Sequence, residues 1–552
     1  MRRIIDQLQP AQRRKAQYSL LMQRLLHLCL AAAVAGIGWS SPLTLEVADF
    51  ATLPITGLLD GTGQTAGLLA RVVALRDEPG DRQRFFVADL NGPLYIFETR
   101  TQKWTTYLDF NGRGDRNGLF ERLSYDVGFA NGLNTIQFDP DYGRNGTFFT
   151  VHTEDPAVAR PAIPDTTSVP DLRVSGYTTT PPIAIPGPIQ RESVLIEWID
   201  TDTSNSTFEG SAREVMRVQL NTRIHPMADL TFNPRARRGD PDWRVLYIGC
   251  GDGGSGEAAQ PDTRLHPQRL DTLVGKILRI IPDRSEQVST SVVSDNGRYR
   301  IPRDNPFTAK SGARGEVWAL GFRNPHRLTW GPEPANPPLI ANSIGLGTWE
   351  TVNIVHKGAN YGYSLREGTE ALGVNNATTS RPAVDEIPVR LTSTVTDGVV
   401  TPTYPVLQYA HIEGAGDAIG SGFVYTGKRL PALAAQFVFG DISTGRIWRV
   451  PYAALLRADD GDPTTMASPE EMLIAWNDPN DRPDAGRRVY PTFFPIVQAA
   501  YRSRGGRDPD LPGRARVSGA GRADTQFAVD AAGELYVLSK SDGMIRRVIS
   551  VF

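Results

Sequence analysis

Two cysteines in 552 residues exclude a scaffold stapled by disulfides. Cys29 lies in an N-terminal apolar segment and Cys250 in the body. Removal of that segment leaves one thiol, so cysteine use argues neither for nor against an oxidising compartment. Charge of one sign is lacking too: 59 basic and 61 acidic residues give a net charge of −2. No basic stripe stands outside the N-terminus, which excludes nucleic acid as an expected partner. The short run Arg235–Arg238 reads as a solvated loop. Long amphipathic helices are missing, which argues against a helical bundle. After residue 41 no stretch reads as a membrane helix. His266, His356 and His411 show no metal-ligand spacing and read as surface or turn residues.

Glycine (53) and proline (41) are plentiful. Together they make about 17% of the chain, against roughly 12% in an average protein, without short-period repetition. Such punctuation suits many short strands joined by turns. The N-terminus has a character of its own. Arg13, Arg14, Lys15 and Arg24 precede the apolar run Leu25–Gly38, and Ala33-Val34-Ala35 offers a small-x-small cleavage site. Residues 1–41 are therefore expected to be a signal peptide for a periplasmic or secreted protein. An uncleaved membrane anchor is the alternative. Residues 42–67 read as an N-terminal extension, and residues 68–552 as the folded body.

Beyond residue 65 short apolar or alternating runs are bounded by Gly, Asp, Asn and Pro, the mark of strands. One pattern recurs. Phe85–Asp89 is followed by a turn and Leu94–Phe97. Phe437–Asp441 precedes Gly445 and Ile447–Val450. Leu535–Leu538 precedes Asp542-Gly543 and Ile545–Val548. Each reads as strand, tight turn, strand, with glycine supplying the positive φ of a hairpin. Hairpins of one style across most of the chain suggest radial repetition of blades. Residues 153–192, 369–400 and 456–520 read as long loop insertions.

Several segments, in order, resemble the PQQ-dependent glucose/sorbosone dehydrogenase family of soluble aldose sugar dehydrogenases. They are Leu246–Gly254, Leu273–Ile280, Ile301–Phe307, Val317–Pro325, Trp349–Asn353 with Lys357–Gly362, Gly440-Asp441 with Gly445–Trp448, and Gly533–Tyr536. The resemblance implies an all-β, six-bladed β-propeller with long loop insertions. It also implies an oxidoreductase that binds pyrroloquinoline quinone (PQQ) and Ca2+ at the open end of a central channel. Such an enzyme oxidises an aldose or related alcohol and passes the electrons to an external acceptor.

Site residues follow from the same resemblance. His225 matches the family's base, suited to take a hydroxyl proton near neutral pH. Asp252 matches the acid that orients it. Arg323 and Asn324 match the pair at the cofactor, where a guanidinium fork suits the three carboxylates and ortho-quinone of PQQ. Arg522 is a further candidate for the cofactor, in a shifted register. Gly345 and Leu346 match the backbone carbonyls that hold calcium. His326 follows Arg323-Asn324 closely and stands where it could replace a family side chain. The pattern departs at Ala130, Ile224, Ser343 and Ser443, where the family has a glutamine, an acid, an acid and a lysine. Two readings compete with the quinoprotein: a non-catalytic propeller binding a glycan or protein, and a calcium-dependent hydrolase on the same scaffold. Fold alone does not choose among them.

Overall fold

The strand Arg84–Asp89 is buried at every position, whereas a half-buried strand alternates. Two cores explain it. Phe86 and Ala88 face one core with Phe138 and Phe148, while Phe85 and Val87 face a second with Tyr536 and Leu538. Alternate side chains thus leave opposite faces of the sheet, and both faces are covered. Aromatic edges lock the two layers: the Phe86 and Phe138 centroids are 5.0 Å apart, and those of Phe85 and Tyr536 are 5.4 Å apart.

The computed structural model describes residues 42–56, 69–80, 82–114, 116–124, 130–411, 417–479, 486–506, 511–512 and 521–552. The expected signal segment, residues 1–41, lies outside them. Strand makes up 40% and helix 8%, so the fold is mostly β rather than strictly all-β. Phe494–Ser503 is the longest helix among the described residues; no described helix is long and apolar enough to cross a membrane.

Of the 33 strands among the described residues, 24 group into six units of four, numbered here in chain order. β1 is Thr44–Thr52. β2–β5 (Val72–Asp77, Arg84–Asp89, Pro93–Glu98, Lys103–Asp109) form the first antiparallel sheet. β6–β9 (Leu133–Phe138, Thr147–Glu154, Arg191–Asp200, Gly210–Leu220) form the second, and β10–β13 (Met227–Phe232, Leu246–Cys250, Lys276–Ile280, Val317–Leu320) the third. β14–β17 (Asn324–Trp330, Leu339–Ile344, Trp349–Ile354, Leu407–Ala410) make the fourth, and β18–β21 (Ile419–Val424, Gln436–Asp441, Ile447–Pro451, Glu470–Trp476) the fifth. β22–β24 (Thr525–Val529, Leu535–Ser539, Met544–Val551) take β1 as their fourth strand. The first strands β2, β6, β10, β14, β18 and β22 each pack on the next, and β22 packs back on β2.

The three recurrent hairpins form as expected: β3 pairs with β4, β19 with β20 and β23 with β24. Gly445 and Gly543 in the turns have φ of +71° and +66°, which few other residues tolerate. Two expectations are corrected. Residues 456–520 are not a plain loop, since they contain β21 and the helix Phe494–Ser503. The described part of the expected extension, residues 42–56, is joined to the body, because it carries β1. β1 pairs antiparallel with β24 and parallel with β21, so a strand with no local partner completes the sixth unit.

Candidate active site

An antiparallel meander puts the start of its first strand and the end of its second at the same edge. In a closed cycle of six such sheets, all those edges meet. Arg71, Ala130, His225, Asn324, Ala418 and Asp524 lie at or just before β2, β6, β10, β14, β18 and β22, and all six line one cavity. The turns after second strands add Gly345 and Leu346, Ile442, and Lys540 to the same wall. Residues far apart in sequence therefore converge because of topology, not through any local motif.

His225 is held from below. Its Nδ1 lies 2.6 Å from Asp252 Oδ1, and its side chain keeps 11% of its surface exposed toward the cavity. Asp252 is fully buried. Its Oδ1 also accepts from the Gly254 N–H at 2.9 Å and its Oδ2 from the Gly256 N–H at 2.9 Å. Burial opposes the charge of this carboxylate, but the His225 imidazole, then Arg323 and the Gly254 N–H, outweigh it and hold Asp252 below the usual carboxylate range. An ionised Asp252 accepts, so Nδ1 of His225 carries the proton and Nε2 is left as the basic nitrogen. The backbone at His225 is left-handed, φ +55°. It is stapled there by the Gly253 N–H, which donates to the His225 carbonyl at 3.2 Å. Gly251 permits the approach: a Cβ at that position would stand 2.6 Å from His225 Cβ.

The other expected side chains meet at the same cavity. Arg323, Asn324 and Arg522 line it. Arg323 pairs with Glu257 and also donates to the Gly345 carbonyl; burial opposes its charge, and Glu257 more than restores it. The Asn324 Oδ1 and the Arg522 Nε are buried without a protein partner. Lys540, partly buried and 3.2 Å from Asp524 Oδ1, adds a cation that sequence reasoning missed. Burial lowers its pKa, with Asp524 working the other way. The wall sets the cations Arg71, Arg323, Arg522 and Lys540 beside the acids Glu257, Asp417 and Asp524, so a flat polyanion such as PQQ would compete with Glu257 for Arg323 and with Asp524 for Lys540.

Calcium fares differently. The Gly345 carbonyl is taken by the Arg323 guanidinium. The N–H groups of Leu346, Gly347 and Thr348 all donate to Glu367 Oε1 at 2.8 Å. A cation at the Gly345 carbonyl would first have to displace Arg323. No group of three or more His, Cys, Asp and Glu able to hold a metal occurs among the described residues. As arranged, the Gly345 carbonyl is not open to a calcium ion.

Residues 225–461 match the family model described as Glucose / Sorbosone dehydrogenase. Over those residues the chain is similar to that family. The HIPL1 protein of Arabidopsis thaliana is 24% identical over 67% of this chain and 51% of its own length. An aldose sugar dehydrogenase of Escherichia coli strain K12 is 34% identical over 22% of this chain and 26% of its own. The chain spans about half the length of the HIPL proteins it matches. Among solved structures, the apo soluble aldose sugar dehydrogenase of Escherichia coli aligns with a TM-score of 0.51 at 16% identity, over 92% of this chain and 99% of that one. This likeness carries the fold alone.

Within the glucose/sorbosone dehydrogenase frame, several residues had no visible signal. Ser443 stands where the family pattern has a lysine. The Lys540 amine reaches the same cavity from the turn after β23, which corresponds by position to the turn after β19 that holds Ser443. Comparing turns between repeats, instead of reading one motif, would have pointed to it. His411 is not an ordinary surface residue: it lines the cavity, and its Nε2 is 2.7 Å from Glu350 Oε1. Burial disfavours its cation, but Glu350 outweighs this and raises its pKa. His266 is also corrected. It is buried, with Nδ1 3.2 Å from Asn221 Oδ1, and burial pushes it down to about 4. His356 is half-exposed beside Asp459, as a surface residue would be.

Proposed function

We propose that the chain is an exported quinoprotein dehydrogenase, a six-bladed β-propeller that oxidises a sugar or related alcohol with PQQ in its axial cavity. The closed cycle of first strands supports the propeller. One observation carries the chemistry: an ionised, fully buried Asp252 fixes His225 as a base at the wall of a cavity lined by Arg323, Arg522, Lys540 and Asn324.

In this reading Arg323, Arg522 and Lys540 hold the carboxylates, and Asn324 offers its unpaired amide oxygen. Bound PQQ supplies an electrophilic quinone carbon that accepts a hydride. His225 Nε2 takes the proton of the substrate hydroxyl as the hydride leaves the adjoining carbon, so an alcohol becomes a carbonyl. Asp252 favours the imidazolium so formed. An external acceptor then removes the electrons. No step is assigned to calcium.

The test is to titrate the purified protein with PQQ and assay aldoses with an artificial electron acceptor. Binding at micromolar PQQ, with acceptor reduction that His225→Ala abolishes while PQQ still binds, is the expected result. Absence of PQQ uptake at that concentration would overturn the reading. A His225→Ala protein with undiminished turnover would remove the base. Ala130 and Ile224, apolar residues on the cavity wall, favour the second reading, a propeller that binds a glycan or protein without chemistry. Absence of PQQ uptake leaves that reading standing.

A further inference from the structure

His326 lies two residues after Asn324 on β14, on the same face, and lines the same cavity. It is 3% exposed. Its Nε2 stands 3.0 Å from Gln526 Nε2, across the centre of the molecule from the fourth unit to the sixth. An amide nitrogen has only protons to give. Gln526 is not free to turn its oxygen toward the ring, because its Oε1 accepts the Ser421 N–H at 3.0 Å; a flip would set donor against donor. His326 Nε2 must therefore accept, and the proton of the ring sits on Nδ1. That Nδ1 is buried and has no protein partner. Burial, with the nearby charges of Arg327 and Lys540, keeps the imidazole neutral by pushing its pKa well below the ordinary value.

The geometry points to His326 as an uncharged hydrogen-bond donor to the quinone cofactor, its tautomer set by Gln526. This inference rests on the proposed function for its ligand, and on the Ser421–Gln526–His326 chain for its donor. Asn324 Oδ1, also unpartnered, sits beside it as an acceptor. The floor of the cavity thus presents an acceptor and a donor side by side on one strand. Charged walls fix a polyanion without discriminating its orientation, whereas a directional neutral pair does so. The cofactor is the fitting recipient because His326 is buried, whereas His225 keeps the exposed edge that a substrate needs. Gln526 is a positioning residue in this scheme, since it acts on the ligand only through the ring.

Histidine-selective 15N NMR on the full-length, PQQ-free protein reads the tautomer directly, with the His326 signal assigned by its loss in His326→Gln. The expected result is a neutral Nδ1–H ring that does not titrate between about pH 6 and 8. An Nε2–H ring or an imidazolium would overturn the inference whether or not PQQ binds. PQQ titrations then test the recipient. His326→Phe should weaken PQQ binding about five- to tenfold. His326→Gln, which retains an N–H donor, should recover most of it. Gln526→Glu, close in shape, should draw the ring proton to Nε2 and lower PQQ affinity by a similar factor, with its 15N shifts moved. Equal PQQ affinity in all three variants would overturn the inference while sparing the proposed function. If wild-type protein fails to bind PQQ, the proposed function falls and takes the ligand assignment with it.

Discussion

In the proposed mechanism Asp252 would act on substrate only through His225, and its three acceptor contacts are the basis for that role. Two go to backbone N–H groups and one to the imidazole. Asp252→Asn keeps the shape but removes the charge, and it brings an NH2 that can satisfy neither a backbone N–H nor the protonated Nδ1. The side chain is outside the cavity lining, so PQQ affinity should stay within about twofold. Turnover should fall by 10²-fold or more, on the scale of general-base assistance. A drop in PQQ binding with turnover per bound cofactor unchanged would show that Asp252 shapes the cavity and does not tune the base. The His225 imidazole, against burial, holds the Asp252 carboxyl below the usual carboxylate range. An acid limb of the pH–rate profile near neutrality would therefore belong to another group.

Among the elements, the second sheet carries a buried charge cluster that ties three strands together. Arg217 on β9 donates to Glu154 on β7 at 2.7 Å, to Glu192 on β8 at 2.8 Å and to Glu214 at 2.8 Å. Burial opposes the Glu154 charge, yet His152 and Arg217 together pull its carboxyl down to about 2. A folded-state pKa below the unfolded value stabilises the protein above the unfolded pKa, and the gain is lost as pH falls. Between about pH 4.5 and 2 this group should cost on the order of 3 kcal/mol of stability. Arg217→Met leaves Glu214 buried without its cation and Glu154 and Glu192 with Arg122 alone, and should destabilise by about 3–5 kcal/mol at pH 7. Urea unfolding at pH 7 and pH 3.5 measures both terms. A loss under about 1 kcal/mol, or an acid limb unchanged by the substitution, would mean the cluster is solvated rather than sealed.

Element by element, the hairpins were legible because turn glycines and apolar strands are local signals, as at Phe437–Val450. The convergence of His225, Asp252, Arg323 and Asn324 was legible only through family resemblance, since no periodicity brings residue 225 to residue 323. Two kinds of feature stayed hidden. Charge replaced from a different turn, as with Lys540 for Ser443, leaves each local motif looking incomplete. Long-range pairing leaves no mark either: Thr44–Thr52 alternates like any strand, but its partners are about 500 residues away. The same distance explains why Gln526, which sets the His326 tautomer, could not be inferred from its own neighbourhood.

For the whole molecule, that distant pairing is what completes the cycle. β1 lies between β24, antiparallel from Leu45↔Val551 to Thr52↔Met544, and β21, parallel from Thr44↔Leu473 to Val47↔Trp476. Its Leu45 and Val47 are buried, as is Leu53 just beyond it. Asp49 accepts from Trp476 Nε1 at 3.1 Å and faces Arg546 at 3.2 Å. One strand therefore fastens the fifth unit to the sixth and the N-terminal side of the fold to the C-terminal side. Its loss would leave β21 and β24 with unpaired edges, which recruit other chains. Each of the three apolar side chains is worth about 2 kcal/mol when buried, so deleting residues 42–56 should cost on the order of 5 kcal/mol and lower the urea midpoint. The truncated protein should self-associate in light scattering. A peptide of residues 42–56 added in trans should restore the midpoint by strand addition. Were the truncated and full chains to unfold at the same urea concentration, the ring would be closed by packing of the first strands alone, and β1 would be an ornament on its rim.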